Sequence, residues 1–132
     1  MLVGVKNTDI DLVWSIVAPM IQRAIDKSEH DYSIDDVYHH LCQRNMQLWY
    51  WVGDCGIIAC MVSVIASYPN RKVCQLPFIG GKGLRIWIHA EPIIAAWAKE
   101  QGCTQLEGFC RQGWVRVLKN WRVVWQTMRK DI

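Results

Sequence analysis

At 132 residues, 52% hydrophobic and 20% charged, the chain is sized for one hydrophobic core and has enough apolar surface to offset the entropy of ordering it, which argues against two independent domains and against disorder. The longest apolar run, Ile57 to Ala66 with Ser63 inside it, is far short of the roughly 20 residues a spanning helix needs, and Met1 to Asp11 lacks a secretory leader pattern, so a cytoplasmic protein without a membrane anchor is expected. The net charge of +3 hides an asymmetry: through Gly56 eight acids face four bases, whereas from Ile57 eleven bases face four acids, which suits either an anionic ligand, nucleic acid or acidic partner, or a plain dipolar surface.

In chain order, Leu2 to Val5 reads as a short strand, and Thr8 or Asp9 can cap a helix with Leu12, Ile16, Met20 and Ile25 on one face. Pro19 is expected to interrupt or kink that helix. Ser33, three residues before Asp36, forms a capping-box pattern for a second helix through Val37 and Leu41. Gln47 to Val52 reads as a strand with aromatics on both faces (Trp49, Tyr50, Trp51), one of which is available to dock a partner or a second copy in a homodimer. Gly53-Asp54-Cys55-Gly56 is turn chemistry before the β-branched run Ile57 to Ser67, and Tyr68 to Arg71 is a second turn before a strand from Lys72 to Ile79. Pro77 implies a bulge or an edge in that strand, because proline cannot donate to a ladder.

The glycine cluster Gly80-Gly81-Lys82-Gly83 leads into a helical stripe of Trp87, Ala90, Ile94, Trp97 and Ala98, ending at Gly102. A short strand over Gln105 to Cys110, a short helix over Trp114 to Lys119 and a final strand over Val123 to Met128 complete the reading. The expected architecture is one mixed α/β (α+β) domain over residues 1–132, ordered β-α-α-β-β-β-α-β-α-β, with about six strands and helices on both faces of the sheet. The six cysteines contain no CxxC pair and several lie in apolar stretches, so reduced buried thiols are expected in place of a disulfide framework.

Backbone N–H groups can approach phosphate oxygens closely only where no Cβ intervenes, and a helix start adds about half a positive charge, so Gly80 to Gly83 with Lys82 and Arg85 form a candidate phosphate cradle. This element order, with Ile79-Gly80-Gly81-Lys82-Gly83-Leu84-Arg85 and the segment Ala96 to Cys103, resembles the GNAT superfamily of acyltransferases. It is especially similar to small GNAT-like proteins of bacteriophages and prophages, in which a Gly-Gly-Lys-Gly loop and an Arg-x-Gly-Trp-x-Arg-x-Leu-Lys segment, here Arg111 to Lys119, recur. The resemblance implies acetyl-CoA as cofactor, with its pyrophosphate on residues 79 to 85 and Arg111 available to its 3′-phosphate. The family pattern of Gln or Arg, two residues, Gly, one residue, and Gly or Ala, aligned on Gly83, meets Gly80 and Arg85 at its other fixed positions.

The resemblance also implies an acid, commonly tyrosine, at Leu118-Lys119, where this chain has no tyrosine and Lys119 takes the place. Glu107 and Gln75 are the candidates for handling the acceptor's proton, a task that needs a base poised near the working pH. Two functions stay open: an N-acetyltransferase acting on an amine, including one on a protein, and a catalytically inactive phage protein serving virion assembly or binding a host protein. His39-His40 with Cys42 lacks a second ligand cluster, so no metal is expected, and Lys82-Gly83 lacks the Ser or Thr of a phosphate-loop NTPase. The basic tail with Trp114, Trp121 and Trp125 suits single-stranded nucleic acid, but Trp114, Val117, Leu118 and Trp121 at spacings of three and four favour packing instead.

Overall fold

The computed structural model describes residues 1–132 apart from the side chain of Leu84. Its elements are β1 (Leu2–Val5), α1 (Ile10–Asp26), α2 (Ile34–Cys42), β2 (Gln47–Gly53), β3 (Gly56–Tyr68), β4 (Arg71–Gly81), α3 (Leu84–Glu100), β5 (Gln105–Gly108) and α4 (Gln112–Val115). One sheet runs in the order β1-β2-β3-β4-β5, antiparallel except for the parallel pair β4 and β5.

Alternation along β3 sends successive side chains to opposite faces and so builds two cores. Cys60 and Val62 meet Val17, Ile21 and Ile25 of α1 and Val37 and Leu41 of α2. Ala59 and Met61 meet Trp87, Ala90 and Ile94 of α3, together with Trp49. The expected stripe of α3 is therefore the buried one, and β2 places Trp49 and Tyr50 on opposite faces as its pattern implied. Trp49 donates its indole N–H to the buried Ser63 hydroxyl at 2.9 Å and meets Trp97 edge-on at 5.0 Å.

Four expectations are corrected. Pro19 does not interrupt its helix, which runs on for 17 residues, because the one amide bond it removes is outweighed by burial of Val17, Ile21 and Ile25. The buried stripe of α1 is Ile10, Val17, Ile21 and Ile25, while Leu12 and Ile16 are 77% and 48% exposed. Two apolar series share the helix, and contact with the sheet selected the one that Leu12 does not belong to. The strand expected over Val123 to Met128 does not form, so the sheet has five strands, and the helix expected over Trp114 to Lys119 closes at Val115. Trp121 is drawn to Glu91 of α3 at 3.2 Å and Arg129 to Glu29, which carries the tail away from the short edge of β5.

Candidate functional site

β4 and β5 pair only from Val73↔Gln105 to Leu76↔Gly108. Beyond Leu76, β4 continues through Pro77 to Gly81 while β5 stops, so about 16 Å of β4 edge runs on without a strand beside it at roughly 3.3 Å per residue. The parting coincides with a bulge: Val62↔Phe78 and Val64↔Gln75 set two steps of β3 against three of β4. Pro77 sits in that extra step, as its missing N–H required. The sheet is thus opened into a notch at the end where both parallel strands finish, the position at which open α/β sheets bind ligands.

The glycine turn closes the long side of the notch. Gly80 and Gly81 belong to β4 itself, not to a loop, and each is glycine for its own reason. A Cβ on Gly80 would stand 2.4 Å from the Met20 carbonyl oxygen of α1, so the Gln or Arg of the family pattern has no room here. Gly81 has φ +100°, and a Cβ there would stand 2.4 Å from the Ile58 carbonyl oxygen. The Lys82 amide completes the ladder by donating to Ile58 at 3.0 Å.

Gly83, at φ +89°, then caps α3 without any side-chain cap. Among the described residues, the amides of Gly83 and Arg85 meet no protein acceptor, and Ile86 donates back to Gly83 at 3.2 Å. The turn is open: Gly81, Lys82, Gly83 and Arg85 are all exposed, and neither Lys82 nor Arg85 has a carboxylate partner among the described residues. The first turn of α3 holds no acid. Cations there oppose the helix dipole, so the charge pattern disfavours the bare helix and favours a bound anion. Pro92 lies within α3, leaving the glycines at the true N-terminus of the helix. Ile79 packs towards α3, and Leu84 opens that helix, its side chain lying outside the described residues.

Gln75 and Glu107 are register partners one step before the strands part. Gln75 Nε2 donates to one Glu107 oxygen at 3.1 Å, and Arg71 Nη1 reaches the other at 3.3 Å. Arg71 also stacks its guanidinium over Tyr68, 4.8 Å from the ring centre. Both Glu107 oxygens are therefore engaged, in a group that lies on the α1 face with Val64. Lys119 is separate, exposed in the turn after α4. Arg111 precedes α4 and lines a cavity of about 310 Å³ with Gly113, Trp114 and Val117. Because β4 and β5 are parallel, Arg111 and the glycine turn lie at the same end of the sheet, on the two sides of the notch.

Sequence reasoning missed Arg71, read as a turn residue, and the long-range contacts Tyr32 to Phe78 (ring centres 6.1 Å apart) and Trp121 to Glu91. None has a local signature. A second cavity, of about 760 Å³, lies at the opposite end of the sheet near Lys6, Arg44, Ser63 and Trp97, away from the glycine turn. All six cysteines are free, and burial pushes the Cys60 thiol up to about 12. Among the described residues no group of His, Cys, Asp and Glu is placed to hold a metal, and no helix is long and apolar enough to cross a membrane.

No protein-family model matches the chain, and no curated protein matches it in sequence. Solved structures do match in fold. A ribosomal-protein-alanine N-acetyltransferase from Brucella melitensis biovar Abortus superposes with TM-score 0.72 at 12% identity, over 100% of this chain and 99% of that one. A predicted acetyltransferase with acetyl-CoA from Clostridium acetobutylicum gives 0.71 at 15%, over 99% and 95%. A Trypanosoma brucei acetyltransferase gives 0.70 at 12%, over 100% and 99%. The chain thus has the fold of the GNAT acetyltransferases, with five strands where six were expected.

Proposed function

We propose that the chain binds an acyl-CoA, acetyl-CoA first, along the notch and transfers its acyl group to an amine, in the manner of the small phage and prophage proteins its glycine turn and Arg111 to Lys119 segment resemble. The observation that carries this reading is the exposed turn Gly81-Lys82-Gly83 at an uncapped, acid-free and doubly cationic helix N-terminus beside parted strands. When bound, acetyl-CoA supplies an activated thioester. Ile79 to Arg85 hold its phosphates through the amides of Gly83 and Arg85 and the charges of Lys82 and Arg85. The Arg85 of this chain stands where the family pattern has a small residue, and as an exposed cation it adds a charged contact.

Arg111, across the notch, is placed for a further phosphate. Glu107, steadied by Gln75 and Arg71, accepts the acceptor's proton through water, and Lys119 takes the role of charge stabiliser in place of the absent tyrosine. The acceptor is an amine, including one on a protein surface.

Isothermal titration with acetyl-CoA tests the reading. Binding is expected, and Lys82→Ala with Arg85→Ala should weaken it by about ten- to hundredfold, the loss expected of two charge-assisted phosphate contacts. No heat at millimolar ligand overturns it. A second reading, a catalytically inactive protein that contacts a virion or host protein, is favoured by Lys119 at the tyrosine position and by the full engagement of Glu107. Binding of acetyl-CoA without turnover of peptide or polyamine acceptors would select it.

A further inference from the structure

The last 16 residues, Val117 to Ile132, form neither strand nor helix, yet two contacts tie them to opposite layers of the molecule. Trp121 donates its indole N–H to Glu91 of α3 at 3.2 Å, and its ring lies over Gly108, where β5 ends; a Cβ on Gly108 would be 3.7 Å from it. Eight residues later, Arg129 pairs with Glu29, in the connection between α1 and α2 on the other face of the sheet. That connection borders the long wall of the notch, because Tyr32 packs edge-on against Phe78 of β4. One anchor therefore stands at the β5 side of the notch and the other beside its β4 side, so the chain between them passes from layer to layer at the open end of the sheet.

From these anchors we infer that residues 122 to 129 are a strap across the mouth of the notch, fixed at Trp121 and latched at Arg129, that must lift before a ligand enters. The two ends differ in strength. Trp121 is half-buried, whereas the latch is an exposed pair, with side chains 59% and 70% accessible, of the kind that solvent readily competes with. Between them Val123, Val124 and Trp125 are 63%, 63% and 72% exposed, so no apolar burial adds to the latch. A strap with a firm root and a weak tip opens by pivoting at Trp121. The gating of acyl-CoA entry rests on the proposed function; the latch does not.

The test uses the full chain and its charge variants Glu29→Arg, Arg129→Glu and the two combined. Trypsin cleavage after Arg122, followed by mass, reports the strap without any ligand. The single variants should be cut about two- to fivefold faster, the range one exposed ion pair spans, and the reversed pair should restore protection. The association rate of acetyl-CoA, followed by tryptophan quenching, should rise in the singles and return in the double variant. Equal cleavage in all four proteins overturns the strap. Faster cleavage with an unchanged association rate overturns its gating. If no variant binds acetyl-CoA while the cleavage pattern holds, the cofactor reading falls and the strap stands.

Discussion

Gly80 shows how a single missing Cβ sets the geometry of the whole notch. Its Cα lies against the backbone of α1, and even a methyl group would meet the Met20 carbonyl at 2.4 Å, so Gly80→Ala must push α1 off β4. The expected cost is about 1–3 kcal/mol, as for other overpacked sites, read as a lower midpoint in urea. Gly113→Ala is the control: nothing lies within 4 Å of its Cβ, so stability should stay within about 0.5 kcal/mol. At Glu107 the same logic separates chemistry from structure. Glu107→Gln loses the Arg71 ion pair, whose side chains are 46% and 20% exposed, and should cost no more than about 1 kcal/mol. If Glu107 receives the acceptor's proton, kcat should nevertheless fall by about a hundredfold or more in steady-state assays, with acetyl-CoA affinity unchanged. The glycine turn and the Gln75 and Glu107 candidates were legible in the sequence because each rests on residue type and local order. Arg71 was not, since only the pairing of β4 with β5 brings it to Glu107.

The elements divide along the same line between local and long-range causes. α2 was read from Ser33 and Asp36, and both halves of the capping box form: the Asp36 amide donates to the Ser33 hydroxyl at 3.1 Å, and the Ser33 amide to the Asp36 carboxylate at 2.8 Å. Ser33→Ala should cost about 1 kcal/mol in chemical denaturation. The Ser33 backbone amide also holds the Asp36 carboxyl below its usual range. A depressed carboxyl contributes stability above its unfolded pKa and loses it on acidification, so Asp36→Asn, which removes that carboxyl, should show a shallower acid-side decline than the native chain. The bulge was likewise visible at Pro77, a residue that announces its own constraint. The final strand was misread because Val123 to Trp125 have strand-forming side chains, while what decides a strand is an edge to pair with. Four-residue β5 offers little edge, and Glu91 and Glu29 capture the chain instead. In α1 the periodicity was right and the register wrong, since two apolar series run along that helix and only the sheet chooses between them.

Across the whole molecule, the sheet is covered on both faces and each face buries a thiol. Cys60 lies under α1, its Sγ 3.9 Å from the Val17 carbonyl, and Cys74 lies under the C-terminal half of α3 beside Ala98 and Cys103. Burial pushes Cys60 up to about 12 and Cys74 up to about 11, because a thiolate cannot be solvated in either core. A thiol whose folded pKa exceeds its unfolded value contributes stability that is complete below the unfolded pKa, 9.0 for the free side chain, and is lost as pH rises towards the folded one. Between pH 9 and 11 the unfolded chain sheds these protons and the native chain retains them, so stability should fall by about 1.4 kcal/mol per pH unit for each such thiol once its unfolded form is ionised. Other alkaline groups titrate in the same window, and a difference measurement removes them. Cys60→Ala loses packing, an offset independent of pH, but also loses one retained proton. Its stability curve should therefore start lower at pH 7 and run flatter from pH 9 to 11 than that of the native chain, as read from urea midpoints at each pH. Parallel curves would mean that Cys60 reaches water as easily in the folded protein as in the unfolded one, and that α1 does not seal this face of the sheet.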